Sequence, residues 1–452
     1  MFDKVYINKL FETVPTIKSL LRDASTIKDA RSVLRTYLNE YFVALQKTNY
    51  RLQPLEWDVQ VTCLNVFRRI ISPRSERLSK FSLLTVLWKA ANEHLDELPE
   101  DLSDGFFEEL IHLFKGLQGH SGIYIHEEFP EFIRLSGRDA AIVRSRKLDA
   151  MANVGKEFMT RYATGLQEDV VQQRAENRKR ILSVLGATEE DWNNHLWQIR
   201  NVIRNSEQLE KLIDLSDEEK QAINRAKQGM LPFGITPYYV SLMDKQPHRK
   251  LDHAVRAQVI PPMNYVENML ANRDDRSCQF DFMLEQDTSP IDLITRRYPR
   301  IVILKPYNTC SQICVYCQRN WEIDDVLYEK AMATKENIAK AINWIKDHEA
   351  IEEVLITGGD PLVMNDRRLD FILSQVADIP HVVRIRIGSR IPVVLPQRVT
   401  DNLINVIAKY HQPGRREIVL VTHYEHPYEV TPESMAAVQK FKKQGISVYN
   451  QA

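Results

Sequence analysis

Apolar residues in the first ~180 positions recur at three- and four-residue spacing, the period of a helix with one buried face. Thr16–Leu45 (TIKSLLRDASTIKDARSVLRTYLNEYFVAL) and Ser103–Leu117 (SDGFFEELIHLFKGL) show it best, and Asp104 is the expected cap of the second. Residues 149–182 are long and charged. Arg174, Arg178, Lys179 and Arg180 cluster there and read as a solvated helix face, with a partner-docking surface as the alternative. A second helical stretch is expected over Glu189–Lys227, ended by Gly229 with Pro232 and Gly234 behind it. Residues 245–300 carry five prolines and no clear period, as in a long connection that wraps another element or serves function.

Beyond Tyr298 the period changes. Short β-branched runs at Ile301–Lys305, Glu353–Thr357, Val382–Ile387, Ile418–Thr422 and Ser447–Asn450 alternate with helical segments. Those segments lie near Glu336–His348, Asp366–Ala377, Asp401–Tyr410 and Pro432–Gln444. Thr431-Pro432 is a cap followed by a first-turn proline, and Gly445 marks the end. This alternation predicts an α/β fold with a parallel sheet, in which chemistry gathers at the C-terminal ends of strands. The expected domains are 1–185, all-α; 186–295, helical and extended; and 296–452, the strand–helix core.

Composition narrows the function classes. Lys plus Arg is 60 against 61 Asp plus Glu, without the basic excess of a general nucleic-acid binder. No apolar run approaches the ~20 residues needed to span a membrane. MFDKVYINKL lacks a signal-peptide pattern, and five cysteines among 452 residues make no disulfide scaffold. A cytoplasmic protein is expected.

Three of those cysteines fall in eight residues, Cys310-Ser-Gln-Ile-Cys314-Val-Tyr-Cys317. On a helix they would share a face as buried thiols, but Asn308, Thr309 and the intervening polar residues fit a loop. A structural zinc usually takes four protein ligands. Three thiolates can hold three irons of a [4Fe–4S] cluster and leave the fourth open. Cys63 and Cys278 stand alone and read as core or incidental thiols. His423 and His426 could be a metal pair but lack a third ligand at a convincing spacing. Arg390 and Arg398 read equally as anion contacts or as structural residues.

The triad, with Tyr316 just before its last cysteine, resembles the CxxxCxxC motif of the radical S-adenosylmethionine (SAM) superfamily. Gly358-Gly359-Asp360-Pro361 resembles that superfamily's second motif. Over about residues 192–452 the chain is similar to the lysine 2,3-aminomutase family. The likeness is carried by Trp197-Gln198, Leu215–Glu219, Ile235–Tyr239, Arg297–Pro299, Arg386–Arg390, Pro392–Arg398, Thr422-His423, His426-Pro427 and Asn450-Gln451. None is apparent over residues 1–185.

The resemblance implies a partial (β/α) barrel with an all-α N-terminal extension. It implies a [4Fe–4S] cluster on Cys310, Cys314 and Cys317, and SAM contacts from Tyr316, Gly358, Gly359, Asp360, His423 and Gln451. It further implies pyridoxal 5′-phosphate (PLP) near Arg297 and Tyr298, and a substrate α-carboxylate held by Arg319. The implied reaction begins with a 5′-deoxyadenosyl radical and moves nitrogen from Cα to Cβ of an amino acid. An electron donor such as flavodoxin or ferredoxin would serve it, without nucleic acid or membrane, and homo-oligomerisation is left open. Two departures stand out. Asn320 replaces a second arginine, and the chain stops within or just after the fifth expected strand, before the family's PLP lysine. The barrel is therefore expected to be truncated there. Another radical SAM reaction on a peptide or protein, and a non-catalytic iron–sulfur scaffold, are the competing readings.

Overall fold

The computed structural model describes residues 4–47, 54–99, 102–123, 131–247, 251–272, 281, 283–317, 319–320 and 322–451. They form two compact units that divide between Val154 and Gly155.

The first unit is helical, and Leu10, Ile17, Leu21, Leu34, Phe67, Leu87, Phe107 and Phe114 are fully buried or nearly so in its core. The Thr16–Leu45 segment forms two helices, Pro15–Asp23 and Ile27–Lys47. The break follows from local capping: the Asp29 N–H donates to Thr26 Oγ1, and Ser25 Oγ donates to Asp29, so a new helix starts there. Asp104 is the first helical residue rather than the cap. Ser103 takes that role, its hydroxyl accepting from the Phe106 N–H.

The first helix wholly inside the second unit is Glu168–Leu185, whose Val170, Ile181 and Leu182 enter the unit's core. The expected helix over Glu189–Lys227 is four shorter ones: Glu189–Asn193, His195–Arg200, Ser206–Glu210 and Asp217–Gln228. Thr188, Asn194, Asn205 and Ser216 each cap a new start, which the apolar spacing alone conceals. Between the second and third, Ile203 bridges Ile235.

Six strands form one sheet in chain order. They are β1 Ile294–Thr295, β2 Ile301–Tyr307, β3 Glu353–Gly358, β4 Arg384–Gly388, β5 Glu417–Thr422 and β6 Ser447–Asn450. β1 is an antiparallel edge that the sequence did not announce, and β2 through β6 are parallel. The helices Lys335–Lys346, Asp366–Ala377, Asp401–Ala408 and Pro432–Lys443 connect the parallel strands. All end within three residues of the expected limits, and Thr431 caps the last, ahead of Pro432.

Alternation then divides the sheet's faces. Val302, Leu304, Val354, Ile356, Ile385 and Ile387 are fully buried with Ile338, Ile342, Leu369 and Ile372 of the helices. Each such side chain stabilises the fold by about 1.5–3 kcal/mol relative to exposure. Their alternates Ile303, Lys305, Leu355, Thr357, Arg386 and Gly388 keep partial exposure on the opposite face. Register brings Ile303 beside Leu355, Leu355 beside Arg386, and Arg386 beside Val419. Over β2 to β4 the sheet thus has one packed face and one that remains partly open, whereas on β5 Val419 and Val421 are buried on that second face. Among the described residues no helix is long and apolar enough to cross a membrane.

Candidate functional site: a cysteine loop at the sheet's C-terminal edge

The cysteines follow the C-terminal end of β2, in a segment without regular helix. Backbone bonds fix this loop from both sides. Ile313 N–H donates to Gly234 O (2.9 Å), Val315 N–H to Gln258 O (2.7 Å) and Leu327 N–H to Cys310 O (3.0 Å). Asn320, at the position of the expected second arginine, is buried and braces the same loop. Its Nδ2 donates to Cys314 O (2.7 Å) and to the Tyr265 hydroxyl (2.8 Å).

All three thiols retain partial exposure, and Cys310 and Cys317 lie against Val202, Ile313, Ile323 and Val326. Burial pushes the Cys310 thiol well above its ordinary range and Cys317 up to about 11. A bound cation reverses that preference, because it stabilises the thiolate directly. Buried Asn308 Oδ1, Ser311 Oγ and Gln312 Nε2 find no hydrogen-bond partner among the described residues, a pattern suited to a polar ligand. No three His, Cys, Asp or Glu side chains of the described residues converge as ligands of one ion. Three spaced thiols without a fourth donor fit a cluster, in which each binds a different iron.

The Gly358–Asp360 turn at the end of β3 packs on this loop. Gly358 has φ +111, and a Cβ there would stand 2.8 Å from Tyr307 O. At Gly359 a Cβ would run into the Thr309 backbone. The approach is sealed by Gly359 N–H to Tyr307 O (2.8 Å) and Asp360 N–H to Thr309 O (2.9 Å). Asp360 is buried and ties β3 to β4. It accepts from Ser389 Oγ (2.7 Å), Arg390 N–H (2.8 Å) and Leu362 N–H (3.0 Å). Burial raises its carboxyl to about 6, while these donors pull it down.

The two arginines of uncertain role separate here. Arg398 is structural: it donates to the carbonyls of Leu362 (3.0 Å) and Met364 (2.8 Å) and to Asp366 (2.6 Å). Arg390 belongs to the site. Its Nη1 donates to Cys314 Sγ (2.9 Å), and its Nη2 meets Glu429 (2.5 Å) and Gln258. The guanidinium lies 5.4 Å from the Tyr316 ring centroid and 5.5 Å from that of Tyr239. His423 and Gln451 flank the ends of β5 and β6: His423 Nδ1 is 3.6 Å from Glu425, and Gln451 N–H donates to Thr422 O (2.9 Å). Burial lowers the His423 pKa. His426 caps the short turn Pro427–Glu429 instead of joining a metal pair.

Arg319 is 5% exposed, which removes it from the surface. Its Nη1 contacts Glu285 (2.6 Å) and Glu322 (3.5 Å). Glu285, from the 245–300 connection, also receives Lys305 Nζ at 2.5 Å, with Arg297 Nη2 at 3.7 Å. Arg297 Nη2 makes no hydrogen bond among the described residues, a donor suited to a phosphate or carboxylate oxygen. Tyr298 is 62% exposed. Three cations thus surround one buried carboxylate, which Arg319 meets through Nη1. Sequence reasoning missed Glu285 and Lys305. A lysine on an otherwise apolar strand, five residues before Cys310, was the available signal; Glu285 lies in a segment without period. Cys63 is half-buried in the first unit, and Cys278 lies outside the described residues.

The family model of the radical SAM superfamily matches residues 304–449. An uncharacterised KamA family protein of Methanocaldococcus jannaschii is 38% identical over 98% of this chain and 73% of its own length. The glutamate 2,3-aminomutase of Clostridioides difficile is 38% identical over 61% of each chain. The L-lysine 2,3-aminomutase of Methanococcus maripaludis is 39% identical over 59% of this chain and 58% of its own. The matched region thus spans about three fifths of these two named aminomutases.

Proposed function

We propose, because this chain belongs to the KamA family of the radical SAM superfamily, that the intact protein is an isomerase moving an amino group between C2 and C3 of a free amino acid. The observation that carries the reading is the three-thiol loop at the end of β2, braced by Asn320 and packed against the Gly358–Asp360 turn.

In this reading Cys310, Cys314 and Cys317 hold a [4Fe–4S] cluster with one open iron. The cluster and SAM, when bound, supply a 5′-deoxyadenosyl radical that removes hydrogen from the substrate. Backbone at Gly358–Asp360, with Tyr316, His423 and Gln451, lines the SAM side. Arg319 grips the substrate α-carboxylate in place of Glu285, since a planar guanidinium suits two carboxylate oxygens. Arg297, whose Nη2 makes no hydrogen bond among the described residues, and Tyr298 are assigned to the PLP side; no lysine of the described residues is assigned to its covalent attachment. The parallel sheet is read as a partial (β/α) barrel whose open face receives substrate. Residues 4–154 are read as a separate helical module that supplies no catalytic residue. A cytoplasmic setting and a flavodoxin- or ferredoxin-type donor complete the picture. Two homologues of nearly equal identity act on glutamate and on lysine by name, so identity alone does not choose the amino acid.

The test is anaerobic incubation of the intact protein, reconstituted with iron and PLP, with SAM, a low-potential reductant and a panel of free amino acids. The reading expects 5′-deoxyadenosine and a β-amino acid product. Iron uptake without SAM cleavage would support a scaffold instead.

A further inference from the structure

Helix Glu168–Leu185 precedes the superfamily match, yet it is pinned to the turn whose Glu429 holds Arg390, the arginine on Cys314. We infer that Arg174 is a positioning residue: it holds the turn His426–Val430 so that Glu429 keeps Arg390 against Cys314. The inference rests on reading Cys314 as a cluster ligand.

The contacts run continuously. Arg174 is 8% exposed, its guanidinium stands 4.3 Å from the Tyr428 ring centroid, and its Nη2 donates to Tyr428 O. Next to it, Gly165 N–H donates to Pro427 O (3.1 Å). A Cβ on Gly165 would stand 2.8 Å from Tyr428 O and closer still to Val430 O and the Arg174 guanidinium, so this crossing needs glycine. The helix is anchored independently. Asn177 Nδ2 donates to Ser241 O (3.1 Å) and Met243 O (2.9 Å), and Gln173 bonds Asp244. On the turn's inner side, fully buried Glu429 accepts from Tyr239 OH (2.7 Å), Arg390 Nη2 (2.5 Å) and the N–H of Glu425 (2.8 Å). Arg390 then reaches Cys314 Sγ at 2.9 Å.

Arg174 is an expensive way to fill space. Its Nε and Nη1 are buried without hydrogen-bond partners among the described residues, and burial of a cation is costly unless it is well paired. Leucine would fill such a position without that cost. What the guanidinium adds is a grip on one carbonyl and one ring of a single-turn 3-10 segment, whose own His426–Glu429 capping box shapes the turn but does not tie it to the helix. A buried ion pair such as Arg390–Glu429 stabilises only while its geometry is held, so the outer grip bears on the inner pair. A cationic donor on a cluster sulfur favours the reduced state, which carries one more negative charge.

The experiment uses the full chain with Arg174→Ala and Arg174→Lys, and Leu182→Ala as a control that removes core packing from the same helix. Amide exchange over residues 426–430 is measured in the iron-free protein, and the midpoint potential in the reconstituted protein. Arg174→Ala should speed exchange about tenfold, the loss of one hydrogen bond's worth of protection. It should also make the potential more negative by up to ~59 mV, a tenfold change in a one-electron equilibrium, with iron content unchanged. Arg174→Lys should recover part of both; Leu182→Ala should lower thermal stability and move neither. Wild-type exchange and potential in Arg174→Ala, or identical shifts in Leu182→Ala, would overturn the inference. If wild-type protein takes up no iron, the cluster reading fails, and the exchange comparison still decides whether Arg174 holds the turn.

Discussion

Glu285 concentrates the site's electrostatics in one side chain. Its carboxylate is almost wholly buried, with Arg319, Lys305 and Arg297 around it. Burial alone would raise its pKa, but Arg319, Lys305 and Arg297 outweigh that and hold it below its ordinary 4.5. A depressed carboxyl contributes stability that is full above the unfolded value and lost as pH falls through the folded one. Glu285→Gln should therefore destabilise the iron-free protein near neutrality, and the gap from wild type should narrow as pH falls below about 4.5. Denaturant unfolding at stepped pH checks this; a gap constant with pH would exclude the charge as the cause. For Arg319, removing one partner of a buried pair costs about 3–5 kcal/mol, at least roughly a hundredfold in kcat/KM. Arg319→Ala should show that loss, and Arg319→Lys much of it, since lysine lacks the fork. Iron content should be unchanged in both. A wild-type rate in Arg319→Lys would remove the carboxylate role and favour a substrate without a free carboxylate.

At the scale of elements, the Gly358–Asp360 turn joins the cysteine loop to β4. Asp360 accepts three hydrogen bonds while buried, from Ser389, Arg390 and Leu362. Each donor left unsatisfied costs about 1–3 kcal/mol, so Asp360→Ala should lower unfolding free energy by at least ~3 kcal/mol. Asp360→Asn keeps one oxygen and should lose less; equal midpoints for the two variants in urea would contradict this. These elements were legible because strand alternation and capping residues act locally: β2 to β6 and their connecting helices all appear where period and caps put them. The three cysteines and the Gly-Gly-Asp turn were legible for the same reason, being contiguous in sequence. Glu285, Lys305 and Glu429 were not, because their roles exist only once separate segments meet: Glu285 with Lys305 and Arg319, and Glu429 with Arg390 and Tyr239. Arg174 shows the converse. Its charge suggested a solvated face, but tertiary packing buries it on Tyr428. The four caps between Thr188 and Ser216 were present in the sequence, yet helical spacing on either side of them masked the breaks.

For the whole molecule, the division between Val154 and Gly155 carries a prediction of its own. If residues 4–154 are a separate module, removing residues 1–154 should leave iron uptake and SAM cleavage intact. Loss of iron from an otherwise folded protein would contradict that separation. The helix Glu168–Leu185 sits on the other side of the division, so a cut at residue 185 should do more damage than one at 154. Everything assigned to the second unit depends on what the three cysteines hold. The most direct measurement is electron paramagnetic resonance of the reduced, anaerobically reconstituted protein, with and without SAM, alongside metal analysis of wild type, Cys314→Ala and Cys63→Ala. The account predicts close to four irons per chain. It also predicts a [4Fe–4S]+ signal that changes when SAM is added, lost in Cys314→Ala and kept in Cys63→Ala. Stoichiometric zinc without iron, or a cluster signal indifferent to SAM, would contradict it.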